Sequence, residues 1–531
     1  MKPITTITTA AALIALAGLV AACGTAQTET TAGAPPLRID IARGYLAAPY
    51  VPPPAAALDR ERYQALDENP VKRVAEAPVS TFSVDVDTGA YSNVRRFLDS
   101  GRMPPRDAVR IEELVNYFSY DYRGPGEAER PFALAAEVAP TPWNEDTYLL
   151  RVGLRGFDLE RSERPAANLV FLVDVSGSMA SQDKLPLVIQ SLKMLSNELT
   201  AEDSISIVVY AGAAGAVLEP TPGDERAVIH SALERLRAGG STAGEAGIRL
   251  AYDFAEQARI EGGVNRVILA TDGDFNVGVA DVEALKDLVV RKRKTGITLT
   301  TLGFGTGNYN EALMEQIANV GNGNYAYIDR LSEARKVLVN EMDATLFTIA
   351  KDVKIQIEFN PAIVGEYRLI GFENRLLKRE DFRNDTVDAG DIGAGHTVTA
   401  LYELALVSSP GLRVGPLRYA PALKPTYDPR AAEFAFLKLR YKLPQETESR
   451  LIEEPLPRSL IQTAERTASD DFRFAAAVAA FGQLLRGGDY TNSYSYDDVL
   501  ALARPARGED RFGYRAEFLT LVDLAKGLDP S

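Results

Sequence analysis

Residues 168–304 alternate between short, continuously apolar segments and amphipathic segments of helical period, and this alternation restricts the fold more than any other feature of the chain. Between the first two apolar segments, Val188, Leu192, Leu195 and Leu199 recur at the spacing of one helix face. The apolar segments are NLVFLVDV, SISIVVYAG, NRVILATDGD and ITLTTLGFG. Such an alternation is typical of a parallel sheet whose two faces are both covered by helices. The sequence therefore predicts an α/β fold with a doubly wound, mainly parallel sheet.

Oxygen-bearing side chains follow three of these predicted elements. Asp174 ends the first apolar segment, and Ser176 and Ser178 come directly after it in FLVDVSGSM. Thr242 lies in the loop GGSTAG before a predicted helix, and Asp272 ends the segment RVILATDG. Because the carboxyl ends of parallel strands meet at one edge of a sheet, these residues should lie close together. Oxygen ligands of this kind suit a hard divalent cation.

The five residues resemble the metal-ion-dependent adhesion site of von Willebrand factor A domains. In that family the pattern is D-x-S-x-S, then a threonine, then an aspartate, and each position has its counterpart here. The resemblance implies Mg²⁺ or Mn²⁺ held by Asp174, Ser176, Ser178, Thr242 and Asp272, with hydroxyls bound directly and carboxylates bound directly or through water. Hydroxyls leave much of the ion's charge uncompensated, so an Asp or Glu of a protein partner can complete the shell. Asp274 and Asn276 follow in the same loop and are interpreted as solvated residues rather than outer ligands.

The N-terminus has the pattern of an export signal. Lys2 precedes an apolar stretch that is too short to span a bilayer and ends in Leu-Val-Ala-Ala-Cys23. This ending is similar to a bacterial lipobox and predicts cleavage before Cys23 and a lipid on its thiol; the alternative is an ordinary A-x-A signal. Gly24 favours an outer-membrane or general envelope anchor. Because Cys23 is the only cysteine, the mature chain can contain no disulfide, zinc-thiolate cluster or catalytic thiol.

Composition divides the chain into further segments. With 46% apolar and 25% charged residues, most of the chain should fold. The net charge of -15 argues against nucleic-acid binding and favours cations or basic partners. The predicted organisation is a signal peptide (1–22), an Ala/Pro-rich tether (23–79), an N-terminal α+β module (80–165), the A domain (166–345), a β-sandwich region (346–455) and a helical region (456–531).

The flanking segments narrow the resemblance. VRIEELVNYF before the A domain, and the β-then-α region after it, are similar to the uncharacterised bacterial von Willebrand factor A lipoproteins of the YfbK type. That resemblance covers nearly all of the predicted folded chain. It implies an N-terminal module and a family-specific C-terminal region, and it brings no biochemical activity.

An enzyme is the weaker hypothesis. Ser181-x-x-Lys184 and Lys294-Thr295-Gly296 match two of the three signatures of penicillin-binding proteins and serine β-lactamases. No convincing S-D-N motif lies between them, and neither His230 nor His396 belongs to a recognisable constellation of serine and acidic residues in the sequence. The sequence thus predicts a non-enzymatic, lipid-anchored envelope protein. A scaffold in which the metal only stabilises the domain is the alternative.

Overall fold

The computed structural model describes residues 61–126, 130–240, 244–273, 282–307, 309–419, 432–461 and 468–529. The strands are β1 Lys72–Arg73, β2 Val79–Ser83, β3 Phe132–Thr141, β4 Asn144–Gly156, β5 Ala167–Asp174, β6 Ser204–Tyr210, β7 Ala214–Pro222, β8 Val264–Thr271, β9 Ile297–Phe304, β10 Tyr325–Ile328, β11 Thr348–Phe359, β12 Val364–Ile370, β13 Gly390–Gly393, β14 Thr397–Leu406, β15 Glu433–Lys442 and β16 Arg450–Pro457. The helices are α1 Gly89–Asp99, α2 Ile111–Asn116, α3 Leu185–Ser196, α4 Arg226–Glu234, α5 Gly244–Gln257, α6 Val282–Lys294, α7 Glu311–Val320, α8 Leu331–Arg335, α9 Met342–Leu346, α10 Asp470–Leu485, α11 Tyr496–Ala503 and α12 Tyr514–Leu528.

The central sheet confirms the predicted doubly wound α/β fold. Its strand order is β10-β9-β8-β5-β6-β7, and every neighbouring pair is parallel except β6 and β7. Alternate residues of β5 enter different cores: Phe171 packs in the cluster that contains Leu192 of α3, and Leu172 in the cluster that contains Ile248 of α5. Both faces of the sheet are therefore covered by helices.

Two antiparallel sheets form the sandwich expected of the C-terminal region, but the N-terminal segment contributes to both. One sheet has the order β1-β12-β14-β4-β3, and in the other β2 and β15 flank β11. The ring of Phe359 on β11 stacks on Tyr367 of β12 with centroids 4.5 Å apart, so the sheets pack face to face. Strands that the sequence assigned to separate modules are thus hydrogen-bonded neighbours.

The C-terminal helices pack on the N-terminal helices rather than forming a layer of their own. Phe118, which follows α2, lies 5.0 Å from Phe474 of α10 and 5.8 Å from Phe518 of α12, ring centroid to ring centroid. The hydroxyl of Ser469 caps α10 by accepting a hydrogen bond from the Phe472 amide at 3.1 Å. One apolar core therefore joins α1, α2, α10, α11 and α12.

Order begins earlier than the predicted boundary near residue 80. The sequence assigned residues 61–79 to the tether, but Val74 is buried in the main core and β1 pairs with β12. Glu61 accepts two hydrogen bonds from Arg96, and the Arg62 amide donates to the Tyr309 carbonyl at 2.9 Å. These residues show no sustained hydrophobic periodicity, because they pack through single contacts and a two-residue strand.

Candidate functional site

Asp174 lies at the centre of the carboxyl edge of the main sheet. It ends β5, between the ends of β6 and β8, and its side chain is fully buried. Its Oδ2 accepts hydrogen bonds from the Tyr210 hydroxyl at 3.2 Å and from Thr271 Oγ1 at 2.9 Å. Residues from both neighbouring strands therefore fix the orientation of this carboxylate.

The two serines that follow Asp174 converge. The Ser176 amide donates to Asp174 Oδ1 at 2.8 Å, and the hydroxyl oxygens of Ser176 and Ser178 lie 3.0 Å apart. Ser176 is buried, whereas Ser178 is exposed to solvent. The turn thus brings a buried and an exposed hydroxyl together, next to a buried carboxylate.

The threonine loop approaches the same turn. The Gly177 amide donates to the Gly240 carbonyl at 3.1 Å, and the Gly239 amide donates to the Val175 carbonyl at 2.8 Å. Residues 241–243 lie outside the described residues, so the position of Thr242 remains a sequence prediction. Asp274 and Asn276 also lie outside them.

Asp272 follows β8 and is fully buried. Its Oδ2 accepts a hydrogen bond from the Lys184 ammonium at 2.9 Å. The next residue, Gly273, has φ of +84°, and a Cβ there would lie 2.5 Å from the Asn310 amide nitrogen. Glycine at this position therefore lets the loop before α7 lie against the end of β8.

The electrostatics of the site favour a cation. Burial raises the pKa of Asp174, as does the charge of Asp272, while hydrogen bonds from Ser176 and Thr271 oppose the shift. A cation near two buried carboxylates would offset this penalty. The four described members of the predicted ligand set offer only oxygen, the donor that Mg²⁺ and Mn²⁺ prefer, so these side chains fit such an ion.

The serine and the lysine of the S-x-x-K motif, Ser181 and Lys184, are hydrogen-bonded to aspartates. Ser181 is exposed and its hydroxyl donates to Asp183, while the Lys184 ammonium donates to Asp272. Lys294 ends α6, which packs on β9. Lys184 thus belongs to the carboxylate site rather than to a serine nucleophile.

The two histidines lie in different environments. His230 Nε2 is 3.1 Å from Ser196 Oγ, and that hydroxyl also donates to the Lys193 carbonyl at 3.0 Å. His396 follows β13; its Nδ1 is buried without a hydrogen-bond partner among the described residues. Burial, with the nearby charge of Lys336, lowers the pKa of His396 to about 4.

The depressed pKa of His396 predicts a loss of stability on acidification. Between pH 6.5 and 4 the unfolded chain binds a proton at this residue and the folded chain does not, so the His396 contribution is present above pH 6.5 and is lost as the pH falls. We expect the unfolding free energy of the wild type, relative to His396→Gln, to decrease by about 2–3 kcal/mol from pH 7 to pH 4.5. Urea titrations of both proteins at several pH values measure this; parallel pH profiles would contradict it.

The structure also contains a buried acidic cluster that the sequence did not indicate. Oxygens of Asp85, Asp87 and Glu315 lie within 4.8 Å of one another. Arg375 Nε donates to Asp85 Oδ2 at 2.9 Å, and its Nη2 lies 3.3 Å from Asp87 and 3.5 Å from Glu315. The Arg375 guanidinium faces all three carboxylates. The cluster therefore links α7 to the residues before α1 and after β12. Asp85-x-Asp87 is a local signal, but residues more than 200 positions away complete the cluster.

Sequence comparison identifies the central domain. The profile of the von Willebrand factor type A domain matches residues 168–341, and a second profile, described as von Willebrand factor, matches residues 57–151. Such domains generally mediate protein interactions and commonly bind a divalent metal. The chain is therefore a von Willebrand factor A-domain protein.

Its flanking regions define the family more closely. The profile "Uncharacterized protein YfbK, C-terminal" matches residues 344–528. The chain is 52% identical to the uncharacterised protein YfbK of Escherichia coli (strain K12) over 473 residues, covering 88% of this chain and 81% of that protein. The chain thus belongs to the YfbK family, as its sequence motifs predicted.

More distant similarities cover parts of the chain. The uncharacterised protein sll0103 of Synechocystis is 32% identical over 185 residues, which covers 35% of this chain and 43% of that protein. A von Willebrand factor type A structure from Catenulispora acidiphila superposes with a TM-score of 0.41 at 15% identity, covering 76% of this chain and 91% of that one.

Among the helices of the described residues, none combines the length and apolarity needed to cross a membrane.

Proposed function

We propose that this protein is a lipid-anchored cell-envelope protein whose A domain binds Mg²⁺ or Mn²⁺ and, through the ion, an acidic side chain of a protein partner. One observation carries the proposal: the hydroxyl of the exposed Ser178 lies 3.0 Å from that of the buried Ser176, in the turn that follows the buried Asp174. Two hydroxyls in this arrangement can coordinate one ion and leave part of its shell open to the outside.

Each proposed ligand has a distinct role. Ser176 and Ser178 would bind the ion directly, and Thr242 would add a third hydroxyl from the loop whose Gly240 contacts Gly177. Asp174 is held by several hydrogen bonds within the protein, so it would act as a fixed counter-charge, directly or through water. Neutral ligands leave the ion electrophilic, which favours a carboxylate from a partner.

The anchoring part of the proposal depends on Cys23. A lipid on its thiol would place the protein in the bacterial cell envelope, at the outer membrane or on the periplasmic face of a membrane. The residues after Cys23 would then connect the lipid to the described part of the chain, whose first residue, Glu61, accepts a hydrogen bond from Arg96. Metabolic labelling with a palmitate analogue, compared between wild type and Cys23→Ala, tests this anchor.

Ser178→Ala should abolish stabilisation by the metal, because it removes a proposed ligand hydroxyl. It should leave the fold intact, because Ser178 is exposed. An ion bound only to the folded state at about 100 times its dissociation constant adds about 2.7 kcal/mol to the free energy of unfolding. We expect this gain in the wild type with Mg²⁺ or Mn²⁺, measured by thermal and urea unfolding against an EDTA reference, and no gain in Ser178→Ala. Ser181→Ala is the matched control, since it removes another exposed serine three positions away and should respond as the wild type does. Equal responses of wild type and Ser178→Ala would contradict the ligand set.

A carboxylate probe distinguishes this proposal from the scaffold alternative, in which the metal only stabilises the domain. The burial of Asp174 and Asp272 is the observation that favours the scaffold. Water-proton relaxation of the Mn²⁺-loaded protein reports the waters on the ion, and a peptide with a single glutamate should reduce it. The same peptide with glutamine is the control. Equal relaxation with both peptides would support the scaffold.

A further inference from the structure

Lys184 pairs with Asp272, the second of the two carboxylates in the proposed ligand set. It directly precedes α3, and its side chain is buried with only 8% exposed. The ammonium donates to Asp272 Oδ2 at 2.9 Å, and the salt bridge spans 88 positions of sequence. A lysine that gives up most of its hydration in this way needs a structural reason.

The backbone around Gly305 forms a slot for the lysine stem. A Cβ on Gly305 would lie 2.3 Å from both Cγ and Cε of Lys184, so only glycine leaves room for the stem. Gly305 has φ of +73°, and its carbonyl accepts a hydrogen bond from the Tyr327 hydroxyl at 2.6 Å. Two strand ends, those of β9 and β10, therefore fix the stem that carries the charge to Asp272.

The charge of Lys184 opposes a second cation at the same carboxylate. An ammonium 2.9 Å from Asp272 already neutralises this buried group and would repel a divalent ion bound beside it. We propose that Lys184 and the divalent cation compete for Asp272, so that the lysine sets the metal affinity of the site. This inference rests on the proposed function. Displacing the ammonium from Asp272 requires rotation about the flexible bonds of the lysine side chain.

Removing the competing charge should strengthen metal binding. Lys184→Met keeps the apolar stem and lacks the ammonium, so we expect it to bind Mn²⁺ about tenfold or more tightly than the wild type. Free Mn²⁺ measured by electron paramagnetic resonance gives the affinities directly. The same variant in EDTA should unfold at a lower temperature than the wild type, since Asp272 is left buried and without this partner.

Two further variants define the outcome. Lys184→Arg keeps the charge and should bind Mn²⁺ within about threefold of the wild type, since Coulomb repulsion is retained. Lys193→Met removes a lysine of α3 that pairs with Glu234 and should leave the affinity unchanged. Equal or weaker binding by Lys184→Met, with measurable binding by the wild type, would overturn the competition and leave the metal site intact. Absence of Mn²⁺ binding in all four proteins would overturn the metal site itself and the competition with it.

Discussion

A chain that ends at residue 461 should fail to fold, although the sequence places all of the removed residues in a region of its own. In the structure, α10 and α12 supply Phe474, Phe481 and Phe518 to the core that also contains Phe118 and Leu114 of α2. Each buried phenylalanine contributes about 1.5–3 kcal/mol through burial alone, and the net stability of a domain is about 5–15 kcal/mol. Loss of these helices would expose the N-terminal helices to solvent.

Near-ultraviolet circular dichroism and limited proteolysis of the shortened chain measure this effect. Single substitutions provide a graded comparison, because Phe518 is fully buried and Phe512 is 52% exposed. Phe518→Ala should lower the free energy of unfolding by about 3–5 kcal/mol, and Phe512→Ala by less than about 1 kcal/mol. A shortened chain with the near-ultraviolet spectrum of the wild type would show that the helical region is an independent domain.

The sequence predicts the type of most elements but not their partners. Continuous apolar runs identify β5, β6, β8 and β9, and helical periodicity identifies the helices between them, because these signals are local. The pairing of β4 with β14 joins residues 148–155 to residues 397–404, and nothing in either strand specifies a partner so distant. Strand β7 escaped prediction because it is an edge strand, paired among the described strands only with β6, and all of its residues are half-buried or exposed.

The candidate site shows the same limit. Asp174, Ser176, Ser178 and Asp272 could be assigned to one edge because the order of strands and helices implies it. The contact between Lys184 and Asp272 could not, since it depends on a slot that Gly305 forms after β9. S-x-x-K therefore suggested a catalytic lysine, and only the three-dimensional arrangement reveals its carboxylate partner.

Arg95 of α1 joins the N-terminal helices to the A domain and to the C-terminal helices. Its removal should be among the most destabilising substitutions. Its side chain is 1% exposed and pairs with Asp329 and Glu333 of the A domain and with Glu517 of α12. Removal of one partner from a buried ion pair costs about 3–5 kcal/mol, because the remaining charges keep their desolvation penalty. We therefore expect Arg95→Met to lower the free energy of unfolding by about this amount. In Arg249→Met, which removes an exposed pair with Glu245, the change should stay below about 0.5 kcal/mol.

The pH dependence of Arg95→Met distinguishes lost charge from lost packing. Burial alone would raise the pKa of Glu333, but Arg95 and Lys336 lower it below its ordinary value. Without Arg95 the folded protein should hold a proton on Glu333 more tightly than the unfolded chain does. The variant should therefore lose stability as the pH rises, and its deficit relative to the wild type should be smaller at pH 5 than at pH 8. In urea titrations, Glu333→Gln should recover part of the deficit when combined with Arg95→Met. A deficit independent of pH and not reduced by Glu333→Gln would mean that the arginine acts through its contacts with Tyr91 and Tyr117.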